Sequence, residues 1–232
     1  KKLNGPLVND IMGTAMVWLS DNNTIVYSSV PENRGPAPTR PRVASGPIAQ
    51  ESLGRRAAVR TFQDLLTDKY DEDIFEYYVT NQLIRITLDG QVKKIGEPRI
   101  VTSFSDSPDG KYLIVTTMLR PFSFIVPANR FPQKVELLDI DGRFIRLLAD
   151  IPLTDALPQG LGATRTGARS FTWRADAPAT LYWVEALDGG DPAVEAEYRD
   201  QIFVLDAPFT GNPTPSFKLQ MRYSGISWGR GD

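Results

Sequence analysis

Short runs of apolar, β-branched and aromatic residues recur along the chain, each closed by a polar turn, and their spacing is that of strands. Ala15-Met-Val-Trp-Leu and Thr24-Ile-Val-Tyr-Ser-Ser-Val flank Asp21-Asn-Asn, residues that tolerate positive φ, and predict a hairpin after a strand end at Lys2 and Leu3. Leu83-Ile-Arg-Ile-Thr-Leu and Gln91-Val-Lys-Lys-Ile flank Asp89-Gly, which favours a type I′ turn. Four further strands follow at Arg99–Ser105, Lys111–Thr117, Lys134–Asp139 and Phe144–Leu148, the last two joined around Asp141-Gly142. The next set is Arg169–Trp173, Thr180–Glu185, Asp200–Leu205 and Phe217–Met221, and Tyr223-Ser-Gly-Ile-Ser-Trp predicts one strand more. Long links separate strands at Leu119–Gln133 and Leu187–Arg199.

One grammar repeats within these strands. Trp18-Leu-Ser-Asp-Asn-Asn-Thr-Ile-Val-Tyr, Asp106-Ser-Pro-Asp-Gly-Lys-Tyr-Leu-Ile-Val and Trp173-Arg-Ala-Asp-Ala-Pro-Ala-Thr-Leu-Tyr-Trp-Val each set a tight polar turn before an apolar strand, and Trp228-Gly opens a fourth copy. Repetition at long intervals predicts an all-β fold, a fragment of a β-propeller with about three four-stranded antiparallel blades over residues 1–232. Ring closure takes about four blades or more, so an open arc or part of a larger ring is expected. Residues 31–80 break the pattern and are expected to form one large, partly helical insertion within the first blade. Pro31-Glu-Asn-Arg-Gly-Pro-Ala-Pro-Thr-Arg-Pro-Arg predicts extended loop. Thr61-Phe-Gln-Asp-Leu-Leu begins with a candidate N-cap, and Asp71-Glu-Asp-Ile-Phe-Glu-Tyr-Tyr predicts either a short helix or the entry to the next strand.

Composition narrows the function classes. Of 232 residues 41% are hydrophobic and 23% charged, as in an ordinary globular chain. The net charge of −2 supplies no global basic field, so neither nucleic acid nor membrane insertion is expected. Cysteine is absent, which excludes disulfides and thiolate metal sites. Histidine is absent too, which removes imidazole as general base or metal ligand. No apolar run approaches the ~18 residues of a membrane span. Lys1-Lys-Leu-Asn suggests an excised piece, so a missing leader carries no meaning.

Several motifs invite chemistry. Gly225-Ile-Ser-Trp-Gly matches the nucleophile-elbow pattern, but an elbow needs a helix after it and a histidine partner, and an edge of the next blade fits better. Asp188-Gly-Gly-Asp-Pro lacks the alternating oxygen ligands of a calcium loop and is expected to be a solvated turn; Asp71-Glu-Asp is expected to be a solvated face. Neither cofactor nor metal is expected. Two carboxylates suffice for a glycosidase, but the pattern singles out no pair among 28 acids. The arginines of the insertion, Arg34, Arg40 and Arg42 with Arg55, Arg56 and Arg60, are the candidate binding groups, because guanidinium pairs carboxylates bidentately. The bland alternative is a solvated loop. Tyr77, Tyr78, Phe122, Phe124, Trp173 and Trp183 are expected to be packing between blades.

Longer strings carry a family resemblance. Ser29-Val-Pro-Glu-Asn-Arg-Gly-Pro-Ala-Pro, Val59-Arg-Thr-Phe-Gln-Asp-Leu-Leu, Arg120-Pro-Phe-Ser-Phe-Ile-Val-Pro and Arg130-Phe-Pro-Gln-Lys-Val-Glu are four of them. Arg174-Ala-Asp-Ala-Pro-Ala-Thr-Leu-Tyr-Trp-Val-Glu-Ala-Leu-Asp-Gly-Gly-Asp-Pro and Leu205-Asp-Ala-Pro-Phe-Thr-Gly are two more. Together they resemble the N-terminal propeller of the glutamyl endopeptidase branch of the prolyl oligopeptidase family. The resemblance implies a two-domain serine peptidase whose propeller covers a C-terminal α/β-hydrolase domain, absent here, and restricts what reaches it. That family's catalytic Ser, Asp and His lie in the hydrolase domain, so no catalytic residue is assigned to this chain. The implied partners are that hydrolase domain and a peptide substrate, and the implied location, for a bacterial protein, is periplasmic or exported. Arg34, Arg40 and Arg42 are the expected contacts to an acidic substrate. The rival reading is a stand-alone propeller that binds protein partners.

Overall fold

The computed structural model describes residues 5–42, 62–158 and 160–229. The readings at Lys2, Leu3, Arg55, Arg56, Arg60 and the Thr61 cap lie outside them. Among the described residues, eleven strands and one α-helix run in the order β1 (Met16–Trp18), β2 (Thr24–Ser29), α1 (Lys69–Val79), β3 (Asn81–Thr87), β4 (Val92–Asp106), β5 (Tyr112–Met118), β6 (Gln133–Asp139), β7 (Phe144–Ile151), β8 (Arg169–Trp173), β9 (Thr180–Ala186), β10 (Asp200–Asp206) and β11 (Thr214–Leu219). The architecture is mostly β. One antiparallel sheet of seven strands runs β1 to β7 in chain order, and a second, of four, runs β11-β10-β9-β8.

β4 joins two sets of strands where two separate strands are expected. Its first half pairs with β3 (Ile86↔Val92, Ile84↔Lys94) and its second half with β5 (Phe104↔Val115, Asp106↔Leu113). The second half also runs alongside β1 in the same direction, because Thr14 N bonds Thr102 O and Ser20 bonds Asp106. β4 therefore turns back around Gly96, at φ 62°, and Pro98. The candidate helix at 61–66 does not form over its described residues; the helix begins at Lys69, where Asp68 caps the Asp71 amide. The strand expected at 223–228 is absent.

Four of the tight turns, two of them from copies of the repeated grammar, share one backbone form. At Leu19–Asn22, Thr87–Gly90, Ser107–Gly110 and Asp139–Gly142 the last amide bonds the first carbonyl, at 2.8–3.1 Å. Each last residue is left-handed, with φ 53°, 98°, 69° and 87° respectively. Asp89 and Asp141 are not left-handed, so the hairpins at these positions are not type I′; they are the longer loops that end on a left-handed residue.

Strand alternation sends neighbouring side chains into different cores. On β3, Leu83 faces a core with Val26, Ile95, Phe104, Leu113 and Val115, while Ile84 and Ile86 pack with Tyr27 on the other face. On β5, Ile114 leaves its neighbours to join Leu137, Trp173, Leu181, Trp183 and Phe209. On β9, Tyr182 and Val184 face away from that core, packing with Ile202 under Tyr223, Ile226 and Trp228. Three groups of four strands (β1 to the first half of β4, the second half of β4 to β7, and β8–β11) thus stack face to face.

The connections sort to two ends. The tight turns at 19–23, 88–91, 107–111, 140–143 and 174–179 share one end, stitched by Asp109 N to Pro178 O and Ala207 N to Ala179 O. The longer connections, over their described residues 30–42, 62–80, 119–132, 152–158, 160–168 and 187–199, share the other.

Candidate functional site

The long-segment end has its own small core, which fixes what lies there. Val79 and Phe75 of α1 pack with Ile100, Met118, Phe122, Val126, Phe131 and Leu153. Phe122 and Phe131 stack with ring centroids 5.3 Å apart, and Phe75 meets Phe122 edge-to-face at 5.2 Å between centroids. Arg120 locks α1 from outside. It donates to Glu76 at 2.6 Å and Glu72 at 3.1 Å, and its guanidinium lies 4.6 Å over the Phe122 ring. The hydrogen bonds to Glu76, opposed by burial and reinforced by Glu72, raise its pKa further above the ordinary arginine value. Glu72 is buried, so the expected solvated face at 71–73 is corrected there: an acid one helical turn from Glu76 is drawn inward by one arginine.

Between α1, the loop after β2 and the start of β4 opens a cleft of about 940 Å³, bordered by Glu32, Arg34, Glu76, Tyr77, Gln82 and Lys94. Lys94 and Glu32 close across it at 2.7 Å. Arg34 Nη2 donates to the carbonyls of Tyr78 and Thr80 at 3.3 and 3.4 Å, the end of α1 that Asn9 also binds. Its guanidinium lies 4.9 Å over the Tyr77 ring, and its Nε is buried without a partner. No carboxylate pairs with it among the described residues. Arg40 differs: it lies over Tyr70 at 4.9 Å and faces Asp68 and Asp71 at 3.6 and 3.5 Å. Arg42 is exposed, and no described residue pairs with it. The three arginines are thus not one cluster: only Arg34 borders the cleft.

A second polar cluster sits at the same end of β8–β11. Asp188 is buried and bonded by Arg199 at 2.8 Å and Arg222 at 2.7 Å; Asp200 is buried and bonded by Arg169 at 2.5 Å and Arg222 at 2.7 Å. Burial opposes ionisation of Asp188, but the bonds from Arg199, Arg222 and the Gly190 amide outweigh it, and its pKa falls to about 2. The solvated turn expected at 188–192 is therefore corrected at Asp188. Nothing in the spacing of these residues announces the network, since its members come from four separate segments.

Ser227 stands on an exposed, irregular segment with no helix after it among the described residues, and the chain holds no histidine. Gly225-Ile-Ser-Trp-Gly is accordingly no elbow. Ile226 and Trp228 instead cover β9, with Trp228 5.2 Å from the Tyr182 ring and Arg174 4.1 Å over its own. Among the described residues, no helix is long and apolar enough to cross a membrane.

No family model matches the chain. It is 48% identical over 217 residues to a probable chloroplastic glutamyl endopeptidase of Oryza sativa subsp. japonica, and 47% identical over 217 residues to one of Arabidopsis thaliana. Each alignment covers 92% of this chain but only 23% and 22% of the relatives, so the chain spans under a quarter of their length. The resemblance to glutamyl endopeptidases is thereby borne out. The relatives are chloroplastic, which lends no support to a periplasmic location. An acylaminoacyl peptidase structure covers 88% of the chain at 12% identity, with a TM-score of 0.45, too low to bear on the fold.

Proposed function

We propose that this chain is the non-catalytic propeller portion of a glutamyl endopeptidase-like serine peptidase, which admits and positions peptides for a hydrolase domain of the same polypeptide. The observation that carries this reading is the 48% identity over 92% of the chain to a protein more than four times as long. The three stacked groups of four strands are three blades, β4 serving as the outer strand of the first and the inner strand of the second. Residues 31–80 are an insertion in the first blade. Stacking supports this count, because the middle group is buried on both faces. The end bearing the long segments faces the incoming peptide; tight turns leave the other end little to bind with.

Arg34 is the substrate contact. A guanidinium without a carboxylate partner, beside a cleft wide enough for a peptide, keeps its charge for an acidic side chain. Arg40 is already neutralised by Asp68 and Asp71, and Arg42 is solvated, so both contribute less. In the full-length enzyme, Arg34→Ala lowers kcat/KM for peptides with Glu at the scissile position about tenfold more than for the Gln analogues. Arg40→Ala and Arg42→Ala shift that ratio less than threefold on the same scale. Equal loss on both peptides in Arg34→Ala would sink this role.

A further inference from the structure

The second polar cluster has more positive than negative charge. Asp188 and Asp200 are shared among Arg169, Arg199 and Arg222, and a further arginine, Arg165, stands beside them. Arg165 has no acidic partner among the described residues. It donates to backbone only, to Thr166 O at 3.1 Å and to Ala168 O. Arg169, 12% exposed, spends one side of its fork on Asp200, and its Nη1 is buried with no partner. Burial, together with the adjacent charge of Arg169, lowers the Arg165 pKa. Arg165 thus stands partly out of water without an acid, four residues before an Arg169 whose Nη1 is buried and unpartnered, an arrangement that an incoming anion relieves.

Arg165 also borders a cleft of about 520 Å³, walled by 148–158 on one side and 164–168 on the other. The cleft is pinned open by its own frame: Thr154 N bonds Arg130 O, Thr164 N bonds Gly190 O, and Arg222 Nε bonds Gly162 O. Its walls are Leu148, Ile151, Pro152 and Leu153 together with loop backbone, a surface suited to a short extended peptide. Two acids share it. Asp150 faces Lys134 at 3.9 Å, and Asp155 has no ion-pair partner among the described residues.

We infer that this cleft binds a carboxylate on Arg165, with Arg169 fixed beside it by Asp200, and that the ligand is an acidic side chain or chain terminus of a peptide. Arg34 lies in a different cleft, so the site is additional to the one proposed above and does not depend on it. Asp155, on the same walls and without an ion-pair partner among the described residues, would compete with such a ligand for Arg165.

The test uses this chain alone and needs no hydrolysis. Three probes are titrated calorimetrically: N-acetyl-glutamate α-amide, N-acetyl-glutamine with a free α-carboxylate, and the neutral N-acetyl-glutamine amide. Binding of either carboxylate probe without the neutral one is expected, and the tighter of the two identifies the source. Measured on an Arg34→Gln background, which silences the first cleft, Arg165→Gln should weaken that binding about tenfold or more, while Arg143→Gln in the exposed 140–143 turn leaves it unchanged. Asp155→Asn should tighten it. Equal binding of the neutral probe, or full affinity in an Arg165→Gln protein with an unaltered melting curve, overturns the assignment.

Discussion

At the scale of single residues, charge and burial decide which side chains are structural and which are available. Asp188 is spoken for: two arginines and an amide hold it ionised in the interior. Its pKa, about 2 against 3.8 for the free side chain, is depressed in the folded state. A depressed carboxylate contributes stability that is present above the unfolded value and lost as pH falls through the folded one. Chemical denaturation followed from pH 5 to pH 2 should thus show a loss of about 2 kcal/mol between about pH 4 and pH 2 from this group. Asp188→Asn should remove that part of the pH dependence and cost about 3 kcal/mol at neutral pH, because Arg199 and Arg222 lose their buried partner. An unchanged acid transition in Asp188→Asn would show that the network does not store this energy. These residues were illegible from sequence. Asp188 sits in Asp-Gly-Gly-Asp-Pro, which reads as a solvated turn, and its partners lie 11 and 34 residues away. Arg34, Arg40 and Arg42 were legible as a basic run, but not their different fates, which depend on where α1 places Asp68, Asp71 and Tyr77.

At the scale of elements, short strands and turns were readable because alternation and turn chemistry are local. Asp-Gly pairs and Asn22 mark the hairpins, and the structure changes only the turn class. β4 was not readable as one strand: Gly96 and Pro98 look like a break, yet the chain stays extended while it reverses direction. The segment 223–228 erred the other way. Its apolar alternation predicts a strand, but no neighbour among the described residues supplies a ladder, so only its packing on β9 forms. Helix α1 hangs on two devices, the Asp68 cap and the Arg120 clamp. Asp68→Ala should destabilise by about 1 kcal/mol, as expected for a lost N-cap. Arg120→Ala should raise hydrogen exchange across 69–79 while leaving β5–β7 protected. Uniform loss of protection would instead place Arg120 in the global core.

At the scale of the whole molecule, stacking is the organising fact. The middle strands send alternate residues to two cores, and only the outermost faces need other cover. On the third group that cover is the irregular segment 221–229, over Tyr182, Val184 and Ile202. Truncation after Gln220 should expose this face and produce concentration-dependent association in sedimentation velocity. A monomer of unchanged stability would mean that the segment is dispensable. The connections divide into a tight-turn end and a long-segment end, and both clefts are lined by residues of the long-segment end. On the function proposed above, these 232 residues hold no catalytic serine and serve a hydrolase domain elsewhere in the polypeptide. The most direct measurement is active-site labelling of the full-length protein and of this chain with a fluorophosphonate probe, followed by peptide mapping. A labelled serine in the full-length protein outside this segment is expected, with no label on the chain alone. A modified serine within it, Ser227 above all, would instead place the nucleophile in this segment.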